Sequence, residues 1–389
     1  MTGAREIWVA APRLLAPGGR WTGPASVAIE GGRITRVLNG MPPGADAMAG
    51  GMLTPGLLDL HNNGAFGVDF ATADLDEWRR ALAALATHGI TGVQPTVITA
   101  PLPAILSALD RLAVVADTLA GQPVARVLGA HLEGPFLSPA RRGAHRQDWL
   151  QDPTDEALDV LLGHPAARRL LKTITLAPER PNGLEAVRRF VSEDVVVAIG
   201  HSDATAEQAR AAADAGATMV THLFNAMRPF GHRDPGVPGE ALTDPRLWCC
   251  LIVDGQHVVE QVCRVVFAAA AERIIAVTDS ILIAGLPPGT TLQFGGLPVT
   301  SDATGLGRRS DGTISGAGIV LDEGVRRMIA AGIDPAAVLR AATEAPARAL
   351  GRNDLGRIAP DAAADLVWWD DDWVPRRVWL RGVEITDGR

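Results

Sequence analysis

The chain has 389 residues, which is enough for one large and one smaller domain, and 47% of them are hydrophobic. That hydrophobic content supports a sizeable core and excludes a largely disordered protein. The formal net charge is −8, and the Arg-Arg pairs are scattered along the chain. These two features exclude a basic surface for binding nucleic acid.

The first 54 residues are predicted to form β-strands. The short runs IWVAA, SVAIE and RITRVL are separated by segments rich in Pro and Gly, such as PGGRWTGP. This pattern is typical of strands joined by turns. From Pro55 onward it gives way to an alternation of short apolar runs and helical stretches.

Eight of these runs are short and rich in Val, Ile and Leu, which predicts buried parallel strands. They span 57–61, 92–97, 124–131, 172–177, 195–201, 217–222, 249–254 and 274–279. Helices are predicted between them at 74–87, 103–119, 184–190, 205–215 and 258–270, several ending at a Gly suited to a C-cap, namely Gly89, Gly121 and Gly216. This alternation predicts an α/β fold, a (β/α)8 TIM-type barrel.

After the eighth strand, a Gly-rich segment at 290–313 is predicted to be an inserted hairpin, followed by helices at 319–331 and 335–350. The tail ADLVWWDDDWVPRRVWLRGVEI returns to the alternation of a strand. We therefore predict a small discontinuous β-sandwich domain built from both termini, residues 1–54 and 358–389. It would flank the barrel, formed by residues 55–357.

Five acidic or imidazole side chains stand where apolar runs end: His61, Glu133, His201, His222 and Asp279. The C-terminal ends of parallel barrel strands meet at one rim, so these groups are expected to lie together. Glu133, His201 and His222 would give three N/O ligands and leave a coordination position open, as in hydrolytic divalent sites. Such a site lowers the pKa of a bound water to about 7. For any one His considered alone, an ordinary polar residue that faces a loop is a simpler interpretation than a metal ligand.

Asp279, in the run VTDS, is the natural general base because it follows the eighth strand. It could take a proton from water and deliver it to a leaving amine. It could equally be a helix N-cap or a turn residue, and spacing alone does not decide between these interpretations.

The loops on the same face carry His145 in RRGAHR, Asn225 in HLFNAM, Arg233 in GHRDPG and His257 in DGQHV. An amide, a guanidinium and an imidazole together would suit a phosphate group. A lone loop imidazole is more often a simple surface residue, so the residues alone leave the phosphate interpretation weak.

The three cysteines form no disulfide pattern and no Cys-x-x-Cys metal motif, since Cys249 and Cys250 are adjacent within an apolar run. This usage indicates a reducing compartment. The N-terminal segment contains Glu6 and has no long apolar core, so no signal peptide is expected. Since the sequence contains no stretch of 18 apolar residues, we expect no membrane span and a cytoplasmic location.

Taken in order, the motifs resemble those of the N-acetylglucosamine-6-phosphate deacetylases, a family of the amidohydrolase superfamily. The matching segments are LTPGLLDLHNNG, HLEGPF, RRGAH, TLAPE, GHSDAT, THLFNAM, DGQHV, AVTDS and the terminal ADLV. They cover nearly the whole chain. HLEGP, GHSDAT, THLFNAM and DGQHV are highly specific in this order.

The resemblance implies a role for each matching position. The metal ligands of the family fall on Glu133, His201 and His222, and its catalytic Asp on Asp279. Its substrate contact falls on His145. Its phosphate contacts fall on Asn225, the backbone of Ala226, His257 and Arg233. In the family that Arg comes from the partner subunit, so the resemblance implies a homodimer.

The chain departs from the family pattern in two places. Most amidohydrolases carry His-x-His after the first strand, whereas this chain has His61-Asn62-Asn63. Asn is a poor transition-metal ligand beside imidazole, so we expect one divalent ion per subunit. Zinc is the expected metal, and iron, manganese and cobalt are alternatives. His61 and Asn63 are candidates for a second metal or for a substrate contact. The segment ISGAGIVLDEGVRRM and Ser280 also differ from the family pattern, and this leaves acyl and sugar preference open.

The sequence therefore predicts metal-dependent hydrolysis of the acetamide of N-acetyl-D-glucosamine 6-phosphate, giving glucosamine 6-phosphate and acetate. One alternative is a related amidohydrolase that deacetylates a galacto-configured or unphosphorylated amino sugar, or that opens a cyclic amide. A second alternative is a non-catalytic sugar-phosphate binder. The presence of Asp279 beside three ligands argues against the second, because a binder needs no general base.

Overall fold

A computed structural model of the chain describes residues 6–385. The outer ends of the predicted small domain, residues 1–5 and 386–389, lie outside the described residues. Two sheets in the described range contain the strands near the termini. The first has the spatial order Arg33–Asn39, Ala25–Glu30, Ile7–Ala11 and Asp46–Ala47. The second has the order Val383–Ile385, Pro375–Leu380, Leu366–Trp369, Met52–Pro55, Leu14–Ala16 and Arg20–Thr22.

The second sheet joins the two ends of the chain. Strand Leu366–Trp369 pairs antiparallel with Met52–Pro55, with Leu366 opposite Pro55. Side chains of both sheets meet in one hydrophobic cluster that includes Val27, Leu53 and Trp379. The two sheets therefore form a sandwich whose core draws on both termini. The residue numbers at which it gives way to the barrel stay a prediction.

The barrel consists of parallel strands that are buried along almost their whole length. Within the described residues, barrel strands 1 to 8 are Leu57–Asn62, Ile90–Ile98, Ala130–Glu133, Leu171–Leu176, Val196–Ile199, Met219–Val220, Trp248–Ile252 and Ile274–Val277. The backbone N–H of Asp279 donates to the carbonyl of His61 at 2.9 Å, which ties strand 8 to strand 1. The predicted (β/α)8 fold is confirmed.

The helices follow the predicted order. The α-helices are Leu75–Thr87, Leu102–Thr118, Asp155–Gly163, Pro165–Leu170, Gly183–Ser192, Ala206–Asp214, Gly236–Thr243, Glu260–Ala270, Leu321–Ala330, Pro335–Ala342 and Glu344–Ala349. Short 3-10 turns lie at Pro139–Arg141, Gln147–Trp149 and Ala271–Arg273, and short strands at Gly64–Ala65, Val68–Asp69 and Arg126–Val127. Between residues 6 and 385, no helix combines the length and apolar character needed to cross a membrane.

Local sequence signals account for several helix ends. Asp74 and Glu77 form a reciprocal capping box at the start of one helix, and Thr205 and Gln208 form another. Gly89 lies just beyond the end of its helix with a φ of 77°, a conformation that favours glycine. The single helix predicted at 335–350 is divided in two at Thr343, which has non-helical backbone angles.

The inserted segment is larger than predicted. Within the described chain it is a four-stranded antiparallel meander, formed by Thr291–Phe294, Leu297–Ser301, Leu306–Arg308 and Ile314–Ala317. The prediction ended at residue 313 because the Gly-rich sequence hid the second hairpin. The N–H of Ala317 donates to the carbonyl of Asp279 at 2.9 Å, so the insert is anchored at the end of strand 8, beside the rim.

Candidate active site

A cavity of about 730 Å³, including its solvent-open mouth, lies at the C-terminal rim of the barrel. Its lining includes Asn63, Glu133, His145, His201, His222, Asn225, Ala226, His257 and Asp279. Each comes from the end of a barrel strand or from the loop that follows, as in other enzymes of this fold.

Three predicted ligands meet at the floor of the cavity. Nε2 of His222 lies 2.9 Å from Oε1 of Glu133, and Nε2 of His201 lies 3.1 Å from the same oxygen. The two Nε2 atoms are 3.1 Å apart. All three side chains are buried. The three ligand atoms thus form a nearly equilateral triangle, a shape that can cap one face of a tetrahedral metal site.

The protonation of His201 supports a cation at this point. Its Nδ1 lies 2.9 Å from the carbonyl oxygen of Arg141, which can only accept, so Nδ1 carries the proton. In the neutral imidazole, Nε2 then presents a lone pair to the Glu133 carboxylate and to His222. Lone pairs facing each other at this distance repel one another, and a divalent ion removes that conflict. The backbone carbonyl that fixes the tautomer is a common feature around metal-binding histidines.

The second carboxylate oxygen of Glu133 faces the other side of the cavity. Oε2 lies 3.4 Å from Nε2 of His61 and 3.5 Å from Nε2 of His145. Nε2 of His61 is also 3.1 Å from Oδ1 of Asp279. His61, Glu133 and Asp279 therefore form a second cluster that could hold an ion.

Asn63 contacts the proposed base directly. Its Nδ2–H donates to Oδ1 of Asp279 at 2.9 Å and to the carbonyl of Ser280 at 3.2 Å. The amide nitrogen, rather than the amide oxygen, thus faces the carboxylate. In this orientation Asn63 positions Asp279, and its amide oxygen is buried without a hydrogen-bond partner among residues 6–385.

Burial and neighbouring charges pull the pKa values of this centre in opposite directions. Burial raises the pKa of Glu133, but His61 and the other imidazoles around it bring it well below the usual value. The pKa of Asp279 is likewise raised by burial and brought to a net decrease by His61. Burial lowers the pKa of His61, yet Asp279 and Glu133 raise it well above normal. Both carboxylates are therefore ionised at neutral pH.

The backbone is strained where the reactive side chains leave the barrel. The φ angles of His201, His222 and Asp279 are 46°, 24° and 50°, in the left-handed region that L-residues rarely adopt. Such strain persists only where the surrounding structure imposes it, and it clusters at active sites. The barrel thus holds these three side chains at the cost of local backbone energy.

The loop residues of the predicted phosphate site line the same cavity. Asn225 donates its amide N–H to the carbonyls of His222 and Leu223, both at 3.2 Å. Nδ1 of His257 lies 2.6 Å from Oδ2 of Asp254, which leaves its Nε2 for another partner. Burial lowers the pKa of His257, but the Asp254 carboxylate brings it to a net increase. The imidazolium form, which suits a phosphate, is therefore favoured.

Arg233 does not join this group within its own chain. It lies in an exposed loop and is not among the residues that line the cavity. Phe230, in the same loop, is 57% exposed.

Sequence reasoning missed three side chains of the site. His131 is buried beneath it, with its ring nitrogens 3.1 Å from Oγ1 of Thr96 and 2.7 Å from Oγ1 of Thr175. Burial lowers its pKa to about 3, so it is neutral. Its place two residues before Glu133 on one strand puts both on the same face, a signal that was available. Arg309 and Ser315 reach the cavity from the insert. No motif marks Arg309, whereas Ser315 belongs to the segment ISGAGIVLDEGVRRM, which the sequence marked only as a departure from the family pattern.

Comparisons with known proteins agree with this geometry. The model of the amidohydrolase family matches residues 52–385. N-acetylgalactosamine-6-phosphate deacetylase of Escherichia coli O157:H7 is 36% identical over 337 residues, covering 85% of this chain and 87% of that protein. N-acetylglucosamine-6-phosphate deacetylase of Bacillus subtilis is 36% identical over 313 residues, 78% of this chain and 77% of that protein.

A solved structure is similar over nearly the full length. It is a point mutant of N-acetyl-D-glucosamine-6-phosphate deacetylase from Mycobacterium smegmatis in complex with N-acetyl-D-glucosamine-6-phosphate. The TM-score is 0.90 at 34% sequence identity, covering 98% of this chain and 100% of that one.

Proposed function

The chain belongs to the amidohydrolase family, and we propose that it is a metal-dependent deacetylase of N-acetyl-D-glucosamine 6-phosphate. The products are glucosamine 6-phosphate and acetate. One observation carries the proposal: a triangle of metal-ligand atoms from Glu133, His201 and His222 lies in the same cavity as the ionised Asp279. A metal-dependent hydrolase of a linear amide needs both a site for the ion and a proton acceptor beside it.

The relatives support the 6-phosphate and leave the sugar epimer to experiment. Deacetylases of N-acetylglucosamine 6-phosphate and of N-acetylgalactosamine 6-phosphate match at the same 36% identity. A galacto-configured substrate is therefore the second candidate, and the similarity to the Escherichia coli protein favours it.

A single divalent ion held by Glu133, His201 and His222, zinc first, would supply Lewis acidity and a water of lowered pKa. Asp279 accepts the proton of the attacking water. Asn63 keeps the Asp279 carboxylate oriented through its amide N–H. After attack on the acetamide carbon, Asp279 returns the proton to the nitrogen, and the amine and acetate separate. His145 contacts the acyl end of the substrate.

Binding of the phosphate supplies orientation remote from the reacting bond. The phosphate-binding end of the site is formed by Asn225, the backbone of Ala226 and His257. Arg233 completes it from the partner subunit of a homodimer, and the exposure of Arg233 and of Phe230 in its own chain supports this arrangement. Three free, buried cysteines support a cytoplasmic location.

The direct test is acetate release from a panel of N-acetyl hexosamines. The panel pairs the gluco and galacto epimers, each with and without the 6-phosphate. A cyclic amide is tested beside it, with ring opening as the readout because no acetate is released. The expected result is turnover of the gluco 6-phosphate with the largest kcat/KM. A larger value for the galacto 6-phosphate would transfer the assignment to the second candidate. Absence of acetate release from every sugar by the metal-loaded protein would refute the deacetylase proposal.

A further inference from the structure

Arg309 gives the cavity a positive charge from its own chain. Among the described residues that line the cavity, it is the only Lys or Arg side chain. It follows the strand Leu306–Arg308 of the insert, and its side chain is half-buried. Neither the motifs of the sequence nor the family resemblance marks it.

The guanidinium of Arg309 is only partly satisfied. One terminal nitrogen donates to the carbonyl of Ala144 at 2.6 Å. Its Nε–H is buried and finds no hydrogen-bond partner among residues 6–385. An unsatisfied buried donor on a cation is costly, so the group is expected to be completed by a bound anion.

Arg309 lines the same cavity as Asn225, Ala226 and His257, the groups that the proposed function assigns to the phosphate. Its partner Ala144 follows Gly143, where an added Cβ would lie 3.1 Å from a ring carbon of His201 and 3.7 Å from the Cβ of Ala226. The phosphate is the anionic group of the proposed substrate, so it is the part of that substrate that the open guanidinium of Arg309 would bind.

We propose that Arg309 is a phosphate-binding and specificity-determining residue that acts within its own subunit. This inference rests on the proposed function, because the anion it binds is the 6-phosphate of the amino sugar. A planar fork of N–H donors suits phosphate oxygens. The inserted meander thereby contributes to substrate recognition. Within each subunit, the guanidinium of Arg309 adds to the imidazolium of His257 at the phosphate before any partner is present.

The first test uses Arg309→Met, which keeps much of the apolar stem and removes the donors, and Arg309→Lys, which keeps the charge. Arg264→Met is the control, since Arg264 is an exposed residue of the helix Glu260–Ala270 and does not line the cavity. For the 6-phosphate substrate, Arg309→Met should raise KM about 10- to 100-fold with a smaller change in kcat. Arg309→Lys should raise KM less, because it keeps the positive charge.

Binding of the product separates this role from a structural one. Arg309→Met should raise the dissociation constant of glucosamine 6-phosphate by the same factor by which it raises KM. It should raise the inhibition constant of inorganic phosphate by that factor as well. Binding of unphosphorylated glucosamine should stay unchanged. If Arg309 only holds the His145 loop through Ala144, kcat falls and both sugars are affected equally, and the proposal is overturned. An unchanged KM in an active Arg309→Met protein overturns it as well.

Subunit mixing distinguishes Arg309 from Arg233. Asp279→Asn chains mixed with Arg309→Met chains should recover no activity toward the phosphorylated substrate, because each site of the heterodimer lacks one group. Recovery would place Arg309 across the interface and overturn the assignment to its own subunit. If wild-type protein releases no acetate from any 6-phosphate sugar, the proposed function fails, whereas failure of the Arg309 variants alone leaves that function intact.

Discussion

The two halves of the cavity are built in different ways. In the strand-end half, Glu133, His201 and His222 are buried and contact one another through atoms 2.9–3.1 Å apart. In the loop half, each group is held separately: His257 by Asp254 and Arg309 by the carbonyl of Ala144. The barrel thus fixes the chemistry as one unit, while recognition is assembled from independent loops. A loop can change without disturbing the reacting centre.

The metal content tests whether the strand-end half works as a unit. His222→Ala should lose the ion and essentially all activity, because two remaining ligands do not hold a catalytic zinc. His61→Ala should keep one ion per chain, since Asn63 turns its amide nitrogen toward Asp279. Metal analysis of dialysed protein, with thermal unfolding as the control for folding, measures both. Two ions per wild-type chain, with one lost in His61→Ala, would make His61 a ligand and the single-ion proposal wrong.

Asp279→Asn separates the proton transfer from metal binding. The neutral amide cannot accept the proton of the attacking water, so kcat should fall by about 10²–10⁴-fold. The metal content should stay at the wild-type value because the three ligands are untouched. Asp311→Asn, an exposed carboxylate of the insert, is the matched control and should keep normal turnover. Near-normal turnover in Asp279→Asn would remove Asp279 from the mechanism.

The difference between the strand-end half and the loop half of the cavity also explains how much of the fold and the site could be predicted from the sequence. Buried parallel strands are recognisable as short apolar runs, and the residue that ends each run lies at the rim. Glu133, His201 and Asp279 were predictable for that reason. Their convergence on one cavity depends on strand order and, for His201 and Asp279, on left-handed φ angles, which periodicity does not encode.

The insert was the least predictable region. Each of its strands pairs with the next strand along the chain, but their Gly-rich sequences lack the apolar alternation that marks a strand. The sequence therefore suggested a hairpin where the described chain has a meander. Arg309 reaches the cavity only because that meander is anchored at the end of strand 8. No spacing rule connects residue 309 to residues 226 and 257. Contacts of this kind need the three-dimensional structure.

Arg233 tests whether recognition extends beyond one chain. Arg233→Ala should raise KM for the phosphorylated sugar by about 10-fold or more and leave binding of the unphosphorylated sugar unchanged, since one charged hydrogen bond is worth about 1.5–3 kcal/mol. Mixed with Asp279→Asn chains after confirmed subunit exchange, it should recover activity, because one site of the heterodimer then holds both groups. An impaired variant that shows no recovery would assign Arg233 to its own subunit.

From the ion pair of Asp254 and His257 we expect a smaller, pH-dependent effect on phosphate binding, confined to the loop half of the cavity. Asp254 raises the pKa of His257 against the effect of burial, with Asp279 also raising it and Arg308 lowering it. A raised pKa keeps the imidazolium charged to higher pH, so its contribution to phosphate binding is complete at low pH. That contribution is lost as the pH rises through the pKa of the folded protein.

Asp254→Asn removes the charge that holds the pKa of His257 up, so the loss of phosphate binding should begin at a lower pH. The ratio of variant to wild-type KM for the phosphorylated sugar should be near one at pH 5. It should reach about threefold to tenfold near pH 7.5, because one pKa unit corresponds to a factor of ten in the charged fraction above both values. Asp372→Asn, the same charge change at an exposed residue of the small domain, is the control and should give a flat ratio. A ratio for Asp254→Asn that is equally high at both pH values would mean that the carboxylate acts through the turn it caps at Gln256, and that the charge of His257 plays no part in recognition.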